Sequence, residues 1–271
     1  MSDSDDLNGN VRLGSQSPSA SPAPQSLKRK REEPLEEPKK KKKRQKKSKK
    51  PKDIDDDHLD EKLGINRAIA NMDGRLLADL VAQRTKRFEP SLSLVELEDK
   101  YIPEKAIQDT SNWEQPRRLE QLPSFLKKYA SGKLSTASKA KGSPHTLVVA
   151  GAGLRAADLT RALRTFQTKE ATVAKLFAKH IKLKEAVETC KKLRMNIGVG
   201  TPQRIHDLLD DGALSSKELK RIVIDASHID QKKRGVLDMK ETLLPLVTLL
   251  ARSEFKERYG ASDKRLELIF Y

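Results

Sequence analysis

Four short stretches of this chain combine residue types in ways that chemistry uses. Val149-Ala150-Gly151-Ala152-Gly153-Leu154-Arg155-Ala156 reads G-x-G-x-x-A. Glycines at that spacing, between a strand and a helix, let a pyrophosphate approach the helix N-terminus, and the chemistry would be dinucleotide binding. The confirming acid at the end of the next strand is missing. Lys179 and His180 stand there, and Glu170 falls before the strand. Ser131-Gly132-Lys133-Leu134-Ser135 approaches a phosphate loop, but Lys127 takes the place of the first Gly and Leu134 that of the magnesium-binding hydroxyl. The third stretch runs Ile197-Gly198-Val199-Gly200-Thr201-Pro202-Gln203-Arg204 and on through Leu209. Here a strand enters a helix with Thr201 as N-cap and Pro202 at its first position, an anion site with Arg204 in reach. The fourth, residues 221–230, is a buried strand ending in Asp225, Ala226, Ser227 and His228.

The surrounding pattern says how these stretches are held. From residue 145 onward short β-rich runs alternate with helical periodicity. Strands are expected at 147–150, 173–178, 197–200, 221–225 and 266–270, and helices at 155–166, 182–193, 202–209 and 236–250, the last kinked at Pro245. Strands separated by helices call for right-handed crossovers, a mostly parallel sheet, and functional loops at the C-terminal strand ends. Ahead of this, residues 58–88 read as helical despite Gly64 and Gly74, with Pro90 ending the helix after Phe88-Glu89. Leu92, Leu94, Leu97, Tyr101, Ile102 and Trp113 then fit either a cover for the chain's own sheet or a segment docking on a partner. Residues 115–130 read as a further helix and 131–144 as a Ser/Gly/Lys linker.

The chain has 271 residues and a net charge of +16. Residues 1–57 hold 16 Lys and Arg against 11 Asp and Glu, and the other 214 hold 39 against 28. The basic surplus therefore belongs to body and tail alike, which favours polyanionic partners. Residues 1–57 are low-complexity and expected to be disordered, because such composition cannot offset its ordering entropy by burial. Within them lie two basic clusters, Lys28-Arg29-Lys30-Arg31 and Lys39-Lys40-Lys41-Lys42-Lys43-Arg44 with the lysines that follow. Both suit importin binding, nuclear import and nonspecific RNA contact. Cys190 is the single cysteine, which excludes an intramolecular disulfide and a CxxC zinc site; it reads as an idle thiol, although its lysine-rich setting suits a lowered pKa. No apolar run reaches the roughly 18 residues of a membrane span.

The third and fourth stretches carry a family resemblance. Val199-Gly200-Thr201-Pro202-Gln203-Arg204-Ile205 resembles the Thr-Pro-Gly-Arg-Leu RNA-contact motif of DEAD-box helicases, and Ile224-Asp225-Ala226-Ser227-His228 resembles their Asp-Glu-Ala-Asp strand. Residues 147–163 occupy the place of the Pro-Thr-Arg-Glu-Leu-Ala unit. The whole chain is similar to the CMS family of U3-containing 90S pre-ribosome subunits, with its basic tail, Phe-Glu-Pro segment (Phe88-Glu89-Pro90) and helicase-like domain.

The resemblance implies a single RecA-like α/β domain at 145–271, preceded by a helical or extended docking segment at 58–130. It also implies nucleolar work in small-subunit assembly, with pre-rRNA or snoRNA and pre-ribosomal assembly proteins as partners. Asp225 keeps the magnesium-side carboxylate, but Ala226 stands where the helicase Glu orients water, and a methyl accepts no proton. With no phosphate loop and no second RecA-like domain, the expectation is a non-enzymatic protein with no cofactor and no metal. Thr201, Pro202, Arg204 and Arg155 are the candidate RNA-phosphate contacts. An active RNA-dependent ATPase or nucleotide-binding protein, and a chromatin or DNA-replication adaptor, are the competing readings.

Overall fold

Five short runs of Val, Ile, Leu and Ala, buried along nearly their whole length, form one parallel sheet. The computed structural model describes residues 58–178 and 181–271. In chain order its strands and helices are β1 (Leu59–Asp60), β2 (Ile65–Asn66), α1 (Gly74–Phe88), α2 (Leu94–Asp99), α3 (Leu122–Tyr129), β3 (Thr146–Val149), α4 (Gly153–Leu163), β4 (Thr172–Leu176), α5 (Leu183–Lys192), β5 (Met195–Gly200), α6 (Pro202–Asp210), β6 (Arg221–Ile224), α7 (Lys240–Leu250), α8 (Ser253–Lys256) and β7 (Glu267–Phe270). The sheet order is β4-β5-β3-β6-β7, every neighbouring pair parallel. This is the α/β architecture expected from the sequence, a parallel sheet flanked by helices.

Alternation along the strands divides the core in two. Leu147, Val149, Ile222, Ile224, Leu268 and Phe270 face one side, packed by α1, α5, α6 and α7. Val148, Ile197, Val199, Val223 and Ile269 face the other, packed by α3 and α4. Apolar burial on both faces is what a parallel sheet with helical crossovers requires. Pro245 lies inside α7.

Residues 58–73 differ from the expected helix. They form the antiparallel pair β1–β2, turned through Gly64 at φ +66°, then a 3₁₀ turn at Ala68–Asn71. The left-handed turn overrides the apolar periodicity, since a glycine there reverses the chain where a helix would have to continue. Helix begins only at Gly74, where the Asp73 side chain accepts from Leu76 N. Likewise residues 115–121 are extended and 3₁₀, leaving α3 as the helix of that stretch.

Much of the segment before residue 131 packs on the chain's own sheet, while Leu94 and Val95 of α2 stay exposed. Leu77, Ala78 and Val81 of α1, with Ile102, Ala106 and Ile107, belong to one core layer; Leu122, Phe125 and Leu126 belong to the other. Ile107 bridges Leu268 in parallel, and Gln108 N donates to Leu268 O at 2.8 Å. Residues 107–129 thus make a bridge–loop–helix unit against the β7 edge. Residues 131–144 are tied down as well. Arg221 donates to Ser131 O and Oγ (2.5 and 3.1 Å), and Asn196 Nδ2 donates to Leu134 O at 2.8 Å. Both anchors stand at the N-terminal strand ends, so Ser131-Gly132-Lys133 lies at the opposite edge from the C-terminal loops.

Candidate functional site

The C-terminal ends of β3, β5 and β6 bring the motif residues to one edge of the sheet. At the end of β6, Asp225 is 3% exposed. Arg155, in the first turn of α4, donates Nε to Asp225 Oδ2 at 2.8 Å and Nη2 to Oδ1 at 2.9 Å. This is a bidentate fork, the strong form of the guanidinium–carboxylate pair. Burial opposes the charge on Arg155, but the hydrogen bonds and charge of Asp225 outweigh it and raise its pKa. The Asp225 carboxylate is therefore already paired from within the chain. Arg155, one of the expected phosphate contacts, has its guanidinium engaged by Asp225 in this fork.

The next residues are fixed by main-chain bonds. Ala226 N and Ser227 N both donate to Tyr271 O (2.8 and 2.7 Å), and Asn66 N of β2 donates to Ser227 O at 2.6 Å. Ile65 bridges His228 in antiparallel fashion. The small β1–β2 pair thus caps the β6 end. His228 is held below its ordinary pKa of 6.5, first by burial and then by the Arg155 charge. It is a strand-end residue held in a main-chain bridge.

The β5 end is built differently. Gly198 and Gly200 leave no room for a side chain. A Cβ at Gly200 would lie 2.1 Å from Leu176 O of β4, and one at Gly198 2.6 Å from Leu176 Cδ1. Both glycines serve strand packing. Thr201 sits at the N-cap of α6 with Pro202 in the first turn, as expected, but the Thr201 side chain makes no capping hydrogen bond. Arg204 donates Nη1 to Ile181 O at 3.0 Å, and Pro202 is buried.

The dinucleotide pattern also resolves into packing. A Cβ on Gly151 would meet Val236 Cα at 3.4 Å, so Val236 covers the glycine that a pyrophosphate would approach. Glu170 pairs with Arg194 at 3.3 Å; Lys179 and His180 lie outside the described residues. Cys190 is buried, and desolvation pushes its thiol up to about 11. That removes the lowered pKa its lysine-rich surroundings suggested. The described residues contain no cluster of three or more His, Cys, Asp or Glu side chains fit to hold a metal.

Sequence reasoning missed the bridge–loop–helix unit at 107–129. A phosphate loop has a strand–loop–helix form, with glycines and a Lys in the loop. Here loop 109–118 has neither; it reads Asp109-Thr110-Ser111-Asn112-Trp113-Glu114-Gln115-Pro116-Arg117-Arg118. Arg117 is buried inside it, donating Nη1 to Phe270 O at 2.5 Å and Nη2 to Thr110 O at 3.1 Å. No periodic signal marks a single bridging residue such as Ile107.

Protein CMS1 of Chaetomium thermophilum is 59% identical over 219 residues, covering 80% of this chain and 87% of that protein. Protein cms1 of Schizosaccharomyces pombe is 29% identical over 195 residues, 72% of this chain and 69% of that one. Among solved structures, the yeast DEAD-box splicing factor Prp28 matches 47% of this chain and 27% of its own at 18% identity, with a TM-score of 0.36. The model of the CMS1 family, described as U3-containing 90S pre-ribosomal complex subunit, matches residues 22–271, and the chain belongs to that family.

Proposed function

We propose that this chain is a non-enzymatic assembly factor of the small-subunit pre-ribosome. Family membership supports the assembly setting, and the observation that carries the non-enzymatic reading is the Arg155–Asp225 fork. A magnesium–triphosphate needs the carboxylate that Arg155 holds at 2.8 and 2.9 Å. Ala226 offers no proton acceptor beside it, and the loop at 109–118 has no glycine cradle.

On this reading the RecA-like body is a platform. Thr201, Pro202 and Arg204 are the proposed phosphate contacts, because Thr201 is not used in capping and the start of α6 favours an anion. The basic surplus adds sequence-independent affinity for pre-rRNA or snoRNA. The clusters at 28–31 and 39–44, which lie outside the described residues, supply importin binding and hence nuclear and nucleolar localisation. Assembly proteins are the remaining partners. Crosslinking in cells followed by sequencing of the bound nucleic acid tests this. Small-subunit precursor RNA or U3 RNA is the expected recovery, and predominant recovery of DNA would favour the chromatin reading instead.

A further inference from the structure

Loop 109–118 encloses a cation with no hydrogen-bonded counter-charge. Arg117 is 2% exposed. Its Nη1 and Nη2 donate to Phe270 O, Thr110 O, Thr110 Oγ1 and Ala70 O, all neutral acceptors. No carboxylate pairs with it among the described residues, although a buried charge is costly until it is paired. Burial lowers its pKa to about 10, which still leaves it charged at neutral pH. Its Nε has no acceptor, and of the six other buried side-chain atoms in that state among the described residues two lie beside it: the indole Nε1 of Trp113 and the Oγ of Ser227. Buried polar atoms are paired in the great majority of cases, so three unmet groups together call for an explanation.

All three residues line one cleft of 510 Å³, which Asn66, Asn71 and Gln115 share. Ser227 directly follows Asp225 and Ala226 at the C-terminal end of β6, the edge where parallel α/β sheets receive ligands. Each unmet group can donate: a guanidinium N–H, an indole N–H and a hydroxyl. They suit an oxyanion. The charge balance says which kind. Arg67 on the lining is already paired with Asp60, and Glu114 stands exposed at the rim. Arg117 has no carboxylate bonded to it, Asp109 acting on it only through space, so one bonded negative charge completes the site. A run of phosphates would instead set repeated charges against Asp60 and Glu114. The neighbouring side-chain amides suit a peptide main chain.

We propose that this cleft binds the carboxylate of an Asp or Glu side chain presented by an extended segment of a partner protein. The three donors lie beneath the cleft lining, and the carboxylate reaches them by displacing the exposed rim at 114–116. The inference deepens the assembly-platform reading and rests on it for the source of the peptide alone.

Trp113 is the only tryptophan in the chain, so its emission reports occupancy directly. The full chain is titrated with N-acetyl-Gly-Glu-Gly-amide, with its glutamine counterpart, with inorganic phosphate and with a short oligouridine. The expected result is a saturable change with the glutamate peptide and binding at least about tenfold weaker with glutamine, the factor that a charge-assisted hydrogen bond commands. Arg117→Met should abolish the response, but it also removes bonds that anchor the loop. Ser227→Ala keeps those bonds and should weaken the glutamate peptide several-fold with an unchanged circular dichroism spectrum. Equal affinity for the two peptides, saturation by phosphate or oligouridine alone, or no saturation by any probe would overturn the proposal. None of these outcomes bears on nucleotide turnover, which decides the platform reading separately.

Discussion

The ends of β6 and β5 lie two strands apart on the same edge of the sheet, yet they hold their polar residues in opposite ways. At β6 the carboxylate of Asp225 is 2% exposed and forked to Arg155, with the β1–β2 pair bonded across the following residues. At β5 the Thr201 side chain makes no capping bond, and Arg204 touches only a main-chain carbonyl among its hydrogen bonds described above. The first end is a structural joint closed by an internal ion pair. The second leaves its side chains less engaged, and the phosphate contact proposed above rests on that difference.

The largest effect that tests this contrast is at the joint. Asp225→Ala leaves the Arg155 guanidinium buried and unpaired, and should cost about 3–5 kcal/mol in urea unfolding. The double variant Arg155→Met with Asp225→Leu should recover most of that, since well-packed apolar replacements of a buried pair are often neutral. A loss below about 1 kcal/mol for Asp225→Ala would mean that the fork is not a joint.

Gly200→Ala comes next. Its new Cβ would fall 2.1 Å from Leu176 O, a backbone atom that cannot step aside, and should cost about 1–3 kcal/mol. If stability were unchanged and only RNA affinity fell, the glycine would belong to the contact rather than to the sheet.

A smaller effect appears in acid. Burial and the Arg155 charge hold His228 below 6.5, against the Asp225 and Asp230 carboxylates and a Gly64 main-chain bond. The neutral form is therefore favoured in the fold. The stability it contributes is present above about pH 6.5, where the unfolded imidazole is also neutral, and is lost as pH falls toward the depressed folded value. Unfolding midpoints measured from pH 7.5 to 4.5 should drop less steeply in His228→Gln than in the parent chain.

The smallest changes belong to the β5 end. Thr201→Ala should alter stability by less than about 0.5 kcal/mol, because no capping bond is lost. Arg204→Ala should reduce the slope of log affinity for single-stranded RNA against log salt by about 0.7, the share of one phosphate contact. An unchanged slope would move the RNA surface elsewhere on the basic body.

How much of this was legible beforehand follows from what sequence periodicity can carry. Runs such as Leu147-Val148-Val149 and Arg221-Ile222-Val223-Ile224 announce buried parallel strands because both faces are apolar, and Thr201-Pro202 announces the start of α6. The β1–β2 pair was not legible, since strands of two residues have no period and Leu59, Leu63 and Ile65 also fit a helix. The Arg155–Asp225 fork joins residues 70 apart, and neither neighbourhood marks its partner. Arg117 is the extreme case: a charged residue beside Pro116 reads as surface, yet the fold seals it among carbonyl groups that only tertiary packing assembles.

The account stands most directly on nucleotide turnover. The purified full chain, incubated with magnesium and ATP with and without single-stranded RNA, should release phosphate no faster than the Asp225→Ala variant or the buffer. RNA-stimulated release that disappears in Asp225→Ala would show that Arg155 yields the carboxylate to a metal, and would contradict the sealed strand end on which the non-enzymatic reading depends.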